Sequence, residues 1–311
     1  MTHTIFIDGE AGTTGLEIRE RLEARSDLEL LLLGDRRRDV EARREALNSA
    51  DAVILCLPDD AAIEAVAMIE NPKVRVIDAS TAFRVDPEWT YGFAEMARGQ
   101  REAIAGSTRV SNPGCYPTGF IGLVRPLVSA GIIPAGWPVT VNAVSGYSGG
   151  GKAMIAEFEA EGGADAYRAY GLTLKHKHVP EMTLHTGLER KVLFAPAVGS
   201  YRQGMLVEVP LHLGALPGSP SVEVVHGALV EAYAGQRFVE VASLEETEAM
   251  TGIDPEGLNG TNRLRLHVFG DRGGEQARLV ALLDNLGKGA SGAAVQNLNL
   301  MLGLAEDAGL R

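Results

Sequence analysis

The first hundred residues alternate short apolar runs with polar, helix-patterned stretches, and this alternation limits the possible folds more than any other feature. Ile5-Phe6-Ile7, Leu28 to Leu33, Asp51 to Leu57 and Val74 to Ala79 read as buried strands. Thr14 to Ala24, Asp39 to Ala50 and Asp60 to Glu70 read as the helices between them. Wholly apolar strands joined through helices need crossover connections, which predicts a parallel, doubly wound α/β sheet covered on both faces. After about residue 112 the pattern changes. Longer strand candidates appear at Val139 to Tyr147, Val192 to Val198, Met205 to Leu213, Arg263 to Phe269 and Ala277 to Leu286. The turn Gly270-Asp271-Arg272-Gly273-Gly274 joins the last two as a hairpin. This half predicts an α+β domain with a mixed, largely antiparallel sheet that has one covered face. The tail from Ala290 to Ala308 predicts a helix, with apolar spacing at Ala294, Leu298, Met301, Leu302 and Ala305.

Charge and composition narrow the ligands. A net charge of −12 argues against a nucleic-acid partner, because phosphate recognition needs a basic face. An anionic ligand must then be held by local arginines, lysines and helix N-termini. No run approaches the roughly 18 apolar residues of a membrane helix, so no membrane partner is expected. The start, Met1-Thr2-His3-Thr4, lacks the basic and apolar regions of a secretory leader. Two cysteines, Cys56 and Cys115, make no disulfide framework, and the expected setting is a reducing cytoplasm.

Gly9-Glu10-Ala11-Gly12-Thr13-Thr14-Gly15 follows the first strand and opens the first helix. Backbone N–H groups at such a helix start can hold a pyrophosphate, and glycine lets the backbone approach it. The spacing is G-x-x-G-x-x-G, not the commoner G-x-G-x-x-G, and an ordinary tight turn would use the same residues. Its place after strand one favours a Rossmann-like dinucleotide site, with Gly9, Gly12, Thr13, Thr14 and Gly15 as contacts. The second strand runs into Gly34-Asp35-Arg36-Arg37-Arg38. An acid there accepts from the ribose 2′-OH of NAD, whereas an arginine pairs with the 2′-phosphate of NADP. Three guanidinium groups beside one carboxylate leave a net positive site, so Arg36 and Arg37 point to NADPH/NADP⁺. Asp78-Ala79-Ser80-Thr81-Ala82-Phe83-Arg84 follows strand four, beyond the carboxyl ends of the strands where such sheets bind ligands. Ser80 is read with the cofactor and Arg84 with an anionic substrate.

Ser111-Asn112-Pro113-Gly114-Cys115-Tyr116-Pro117-Thr118 is the most informative segment. Pro113-Gly114 makes a sharp turn, and Pro117 suits the first turn of an apolar helix over Thr118 to Val128. Cys115 then stands at a helix N-terminus, where free N–H groups and the dipole favour a thiolate. Asn112 and the Cys115 N–H can form an oxyanion hole. A buried hydrophobe is the usual role of a cysteine, and it suits Cys56 within Val53-Ile54-Leu55-Cys56-Leu57. His176-Lys177-His178-Val179-Pro180-Glu181 supplies the proton chemistry a thioester needs, with His178 as acid/base at the mouth of a helix running to about Leu188. A metal set of His176, His178 and His185 is the alternative; no second cysteine or paired carboxylate supports it, so no metal is expected. Gly146-Tyr147-Ser148-Gly149-Gly150-Gly151-Lys152 is a second glycine-rich turn, whose Lys152 can meet a phosphate or carboxylate.

These residues resemble the N-acetyl-gamma-glutamyl-phosphate reductases, of the shorter of their two types. The similarity runs nearly end to end. Its most specific parts are Ser111 to Thr118, Gly146 to Lys152, His176 to Glu181, and the tail Asp284-Asn285-Leu286-Gly287-Lys288-Gly289-Ala290-Ser291-Gly292-Ala293-Ala294-Val295-Gln296-Asn297. The resemblance implies an arginine-biosynthesis enzyme related to the semialdehyde dehydrogenases, acting on a small-molecule acyl phosphate. Cys115 would displace phosphate to form a thioester, NADPH would reduce it, and His178 would serve as acid/base. It also implies a dinucleotide-binding domain over 1–112, to which the C-terminal helix 290–311 returns, and a catalytic and dimerisation domain over 113–289. Asn285 and Gly287 would then lie near the nicotinamide, Ser148, His176 and Glu181 would contact substrate, and the assembly would be a homodimer or homotetramer; Arg84 and Lys152 join the substrate contacts on their chemistry, not on matched roles. Three competing readings are an aspartate-semialdehyde or carrier-linked dehydrogenase, a non-catalytic NADP-binding sensor, and a metal-dependent hydrolase.

Overall fold

The computed structural model describes residues 2–161, 165–271 and 273–311, with the side chains of Arg37 and Arg38 outside the description. Arg272 of the expected hairpin turn lies outside the described residues. The chain forms two compact units. One comprises residues 1–94, 98–114 and 290–311, and the other residues 95–97 and 115–289.

In the first unit the elements run β1 (His3–Asp8), α1 (Thr13–Glu23), β2 (Leu28–Leu31), α2 (Val40–Ser49), β3 (Ala52–Leu55), α3 (Asp59–Ala67) and β4 (Arg75–Asp78). They are followed by β5 (Thr90–Tyr91), α4 (Gln100–Gly106) and β6 (Arg109–Ser111). The sheet order is β2-β1-β3-β4-β6-β5 and every pairing is parallel. Alternation along β1 explains why both faces are covered. Ile5 and Ile7 enter one core with Ile54, Ile77, Ile18 and Leu298, while Phe6 enters the other with Val53, Leu55, Val76, Leu47 and Ala62. Helix α2 starts at Asp39, whose carboxylate accepts from the N–H groups of Glu41 and Ala42. The short strands β5 and β6 were not expected; one has two residues and the other is flanked by polar groups, so neither carries a readable pattern.

The second unit begins with α5 (Cys115–Ser129), then β7 (Thr140–Gly146), α6 (Gly151–Phe158), β8 (Tyr167–Ala169), α7 (Val179–Thr186), β9 (Leu193–Gly199) and β10 (Met205–His212). It continues through α8 (Val222–Ala232), β11 (Val239–Val241), α9 (Leu244–Ala249), β12 (Leu264–Gly270) and β13 (Gln276–Leu283). The seven strands lie in the order β11-β12-β13-β10-β7-β9-β8. The pairs β12–β13, β13–β10, β10–β7 and β9–β8 are antiparallel, whereas β7–β9 and β11–β12 are parallel. Helix α5 lies directly on this sheet because it has glycines where it crosses. A Cβ at Gly119 would stand 2.8 Å from Val207 Cγ2, and one at Gly122 would stand 3.0 Å from Leu264 Cδ2. Pro126 sits inside α5 without breaking it. A proline there leaves the carbonyl four residues earlier without its helical donor. That carbonyl belongs to Gly122, and the Tyr233 hydroxyl donates to it at 2.9 Å.

After β13 a π-helical turn, Gly287–Ser291, leads into α10 (Gly292–Leu302), which packs with α1 and α4 of the first unit. The expected helix to Ala308 is therefore too long. Gly303 takes a left-handed φ of 70° and stops it at Leu302. The chain then folds back, and the Asn299 amide donates to the carbonyls of Glu306 and Ala308.

Candidate active site

The glycine loop of the first unit is built for close backbone packing. Gly9 has φ +91°, and a Cβ there would collide with the Cys56 carbonyl. A Cβ on Gly15 would collide with the Gly9 carbonyl, so the outer glycines let strand, loop and helix close on one another. The N-cap of α1 is Gly12, which has no side chain to cap the first turn. The Thr13 hydroxyl is buried there and has no hydrogen-bond partner among the described residues. An uncapped helix start with an orphaned buried hydroxyl is the donor set an anionic phosphate needs, so these residues fit a dinucleotide. Arg36 lies in a 3₁₀ turn with Asp35, two-thirds exposed, and meets Asp39 at 3.5 Å. The Arg37 side chain lies outside the description.

Beyond β4, Ser80 donates to Asp78 at 2.6 Å and accepts from the Ala82 N–H. Burial pushes the Asp78 carboxyl up to about 6, against the opposing pull of Ser80 and Arg84. Arg84 is buried and donates to the Ala79 carbonyl. Asn112 is buried too. Its amide donates to the Ala290 carbonyl and its carbonyl accepts from Asn297.

In the second unit Cys115 is the first residue of α5 and is only partly buried. The expected helix began at Thr118; the observed start places the thiol at the helix mouth itself. His178 is the N-cap of α7 and is buried. Its backbone N–H donates to Nδ1 of His176 at 3.1 Å, so His176 carries its proton on Nε2. His176 is enclosed by rings: Phe194 at 5.0 Å, Tyr170 at 5.7 Å, Tyr116 at 6.1 Å and His178 at 4.8 Å between centroids. Desolvation, with Lys177 next to it, pulls its pKa down to about 4, which keeps it neutral at pH 7. Tyr170 donates to the Tyr116 hydroxyl, which donates to the Ala197 carbonyl. Burial raises both phenols, and the nearby Cys115 sulfur adds to the shift.

A second layer fixes the loops of this unit. Asn285 accepts from the Gly204 N–H and donates to the buried Ser148 hydroxyl. Asp284 accepts from Gln203, Gly260 and Leu286. Gly287 has no room for a side chain, since a Cβ would strike the Thr261 carbonyl. Glu181 is buried in the first turn of α7, whereas Lys152 is exposed on α6 with no side-chain partner seen among the described residues. Among the described residues no group of three metal-ligating side chains converges, and no helix is long and apolar enough to cross a membrane.

Sequence reasoning missed the ring cage of Tyr116, Tyr170 and Phe194, because these residues are far apart in the chain and each looks like ordinary core. It also missed the Arg43–Asp8 ion pair at the end of β1, at 2.8 Å, and the buried Lys288–Glu95 pair.

Residues 4–106 match the profile of the semialdehyde dehydrogenase NAD binding domain, and residues 115–285 that of the semialdehyde dehydrogenase dimerisation domain. Over 308 residues the chain is 58% identical to the N-acetyl-gamma-glutamyl-phosphate reductase of Rhizobium etli, covering 97% of this chain and 99% of that protein. The Brucella ovis protein of the same name is 57% identical over 309 residues, covering 97% of this chain and 100% of its own length. Among solved structures, aspartate semialdehyde dehydrogenase II of Vibrio cholerae, complexed with ASA, superposes with a TM-score of 0.71 at 16% identity, covering 97% of this chain and 98% of that one. Aspartate semialdehyde dehydrogenase with NADP from Candida albicans gives 0.65 at 14% identity, covering 97% and 99%. At such identities the structural likeness is one of fold alone.

Proposed function

The chain belongs to the N-acetyl-gamma-glutamyl-phosphate reductase family of semialdehyde dehydrogenases, and from that premise we propose the following reaction and residue roles. The enzyme reduces N-acetyl-L-glutamyl 5-phosphate to the 5-semialdehyde, with release of phosphate, as a step of arginine biosynthesis. The observation that carries the assignment of the nucleophile is the place of Cys115 as the opening residue of α5.

The helix-end N–H groups and dipole favour the Cys115 thiolate. It attacks the acyl carbon, the carbon–oxygen bond to phosphate breaks, and a thioester remains. Asn112, three residues earlier in the chain, is the proposed oxyanion donor, with the Cys115 N–H. His178 takes the thiol proton on attack and returns it to the Cys115 sulfur when the carbon–sulfur bond breaks and the oxyanion collapses to the aldehyde carbonyl. His176 stays neutral beside it and offers Nε2–H to the substrate. Ser148, Glu181, Lys152 and Arg84 complete the proposed substrate contacts, Ser148 and Glu181 as buried groups and Lys152 as an exposed cation. NADPH, when bound, supplies the hydride that reduces the thioester. Gly9, Gly12, Thr13, Thr14 and Gly15 hold its pyrophosphate, Arg36 and Arg37 its 2′-phosphate, and Ser80 lines the same sheet edge. Asn285 and Gly287 contribute through the turn they shape.

A homodimeric or homotetrameric assembly and a cytoplasmic location belong to the same proposal. The match to a dimerisation domain supports the first. The face of the second sheet opposite α5 also supports it, with a groove of about 500 Å³ between Glu208, Pro210, Phe269 and Arg278. Light scattering after gel filtration tests the assembly; a monomeric mass would remove it.

The reaction is tested in reverse, by phosphate-dependent NADPH formation from N-acetylglutamate semialdehyde and NADP⁺. Wild type is expected to turn over and Cys115→Ser to be silent. Turnover with aspartate semialdehyde alone would replace the substrate and leave the chemistry. Full activity of Cys115→Ser would end the thioester route.

A further inference from the structure

Lys288 and Glu95 form an ion pair at 2.7 Å, with side chains 2% and 0% exposed. Taking two charges out of water is costly, and a well-packed apolar pair of similar size holds a core as well or better. What such a pair can add instead is a fixed register between the two segments that carry it. The segment on the lysine side is the π-helical turn Gly287–Ser291. The next residue, Gly289, packs on the nucleophile: a Cβ there would stand 2.7 Å from Cys115 Cβ and 3.2 Å from Cys115 Cα. The Gly289 N–H donates to the Asp284 carbonyl, and the Asp284 carboxylate is itself held by Gln203 and Gly260. The turn that touches Cys115 is thus fixed by a backbone bond at Asp284 and by a charged one at Lys288.

The glutamate side reaches the other support of the nucleophile. Glu95 lies near enough to Tyr233 to help raise its phenol, which burial raises first. That phenol satisfies the Gly122 carbonyl freed by Pro126, two turns into the helix that Cys115 opens. The Lys288 ammonium also lies over the Phe238 ring, 5.5 Å from its centroid. One buried charge pair therefore fixes the turn packed on Cys115, and its carboxylate lies close to the phenol that braces the helix beginning there.

We infer that Glu95 and Lys288 are positioning residues for the reaction, which set the placement of the Cys115 thiol by holding Gly289 against it. The inference rests on Cys115 as nucleophile. Displacements of about 1 Å at a reacting group can cost on the order of 10²-fold in rate, so loss of register should appear in kcat before it appears in binding.

The test compares wild type with the double variant Glu95→Gln/Lys288→Met and with Glu95→Asp, which keeps both charges and shortens one arm. Each full-length protein is measured for thermal midpoint, kcat, KM and the pH profile of Cys115 labelling by iodoacetamide without substrate. The double variant should fold, lose about 10- to 100-fold in kcat, keep KM within about three-fold, and label at a plateau rate at least about three-fold altered. Glu95→Asp should show the same pattern, about five-fold in kcat, and carries the decision if the double variant does not fold. A folded variant with kcat within two-fold or so of wild type and an unchanged labelling profile overturns the inference, leaving the pair a core contact. Lower kcat with unchanged labelling also overturns it, because the effect then does not pass through the thiol. The labelling requires no substrate, so a wrong substrate assignment leaves this result standing. Activity surviving in Cys115→Ser would remove the nucleophile reading instead.

Discussion

The two cysteines of this chain sit at comparable places and could hardly differ more. Cys56 follows β3 in the first unit, and Cys115 opens α5 in the second. Each has a glycine pressed against it, Gly9 on the Cys56 carbonyl and Gly289 on Cys115 Cβ. Around Cys56 the strand is apolar, and the carboxylates of Asp78 and Asp8 are near. Burial and those charges push its thiol up to about 12, so it is not a nucleophile at neutral pH. Cys115 stands at the positive end of a helix, and the ring of Tyr116, next to it in the chain, packs against the neutral His176. The lesson is that a thiol's role is set by which end of an element holds it and what charge faces it.

The largest expected effect separates the two thiols. Cys115→Ser should lower turnover by roughly 10⁴-fold or more, since an alkoxide is neither as available nor as good a leaving group. Cys56→Ser should leave turnover within about two-fold, with a stability cost of about 1 kcal/mol for a hydroxyl among apolar groups. Steady-state kinetics and denaturant titration of both variants check this. A catalytic collapse in folded Cys56→Ser would erase the contrast. Next in size, the two glycines should fail differently. Gly289→Ala forces a methyl into Cys115 and should cost about 10²-fold in kcat with modest loss of stability. Gly9→Ala, with φ +91° and the Cys56 carbonyl in the way, should cost about 2–4 kcal/mol of folding stability. If both lost only stability, Gly289 would have no bearing on the thiol.

The same contrast shows how much was legible beforehand. The run Val53 to Leu57 announces a buried parallel strand, and Pro113, Gly114 and Pro117 around Cys115 announce a turn and a helix start. Both signals are local, and both appear in the structure. Gly303 was an equally local stop signal, and the apolar spacing at Ala305 obscured it. The parallel pairing of β7 with β9 could not be read, because register between distant strands is a tertiary choice. Nor could the cage around His176, since Tyr116, Tyr170 and Phe194 carry no shared spacing. The Lys288–Glu95 pair spans 193 residues, and nothing marks either partner as buried.

The two units also differ in how acid should act on them. Asp78, in the first, has its pKa raised from the ordinary 3.8 to about 6. The folded state therefore binds more protons than the unfolded one between those values, and this group's contribution to stability falls as pH rises through that window. Asp78→Asn keeps an oxygen for Ser80 and does not titrate. Relative to wild type it should gain up to about 3 kcal/mol between pH 4 and pH 7, as read by urea unfolding at each pH. A pH-independent difference would mean that Asp78 ionises as freely folded as unfolded.

His176, in the second unit, has the opposite sign and a smaller effect. Its pKa falls from 6.5 to about 4, so the unfolded chain binds the extra proton between those values. Its contribution is intact above pH 6.5 and is lost as pH falls toward 4. The ring is only half-buried, and solvent screening reduces the effect to about 1 kcal/mol. Asn places an amide oxygen where Nδ1 accepts the His178 N–H, so His176→Asn should preserve the start of α7 while removing the titration. Relative to wild type, the variant should gain stability as pH falls from 7 to 4. It should also leave the pH dependence of kcat in place, since the proposed reaction passes its proton through His178. If that dependence vanished in His176→Asn, the cage would hold the titrating base, and His178 would be the group that only supports it.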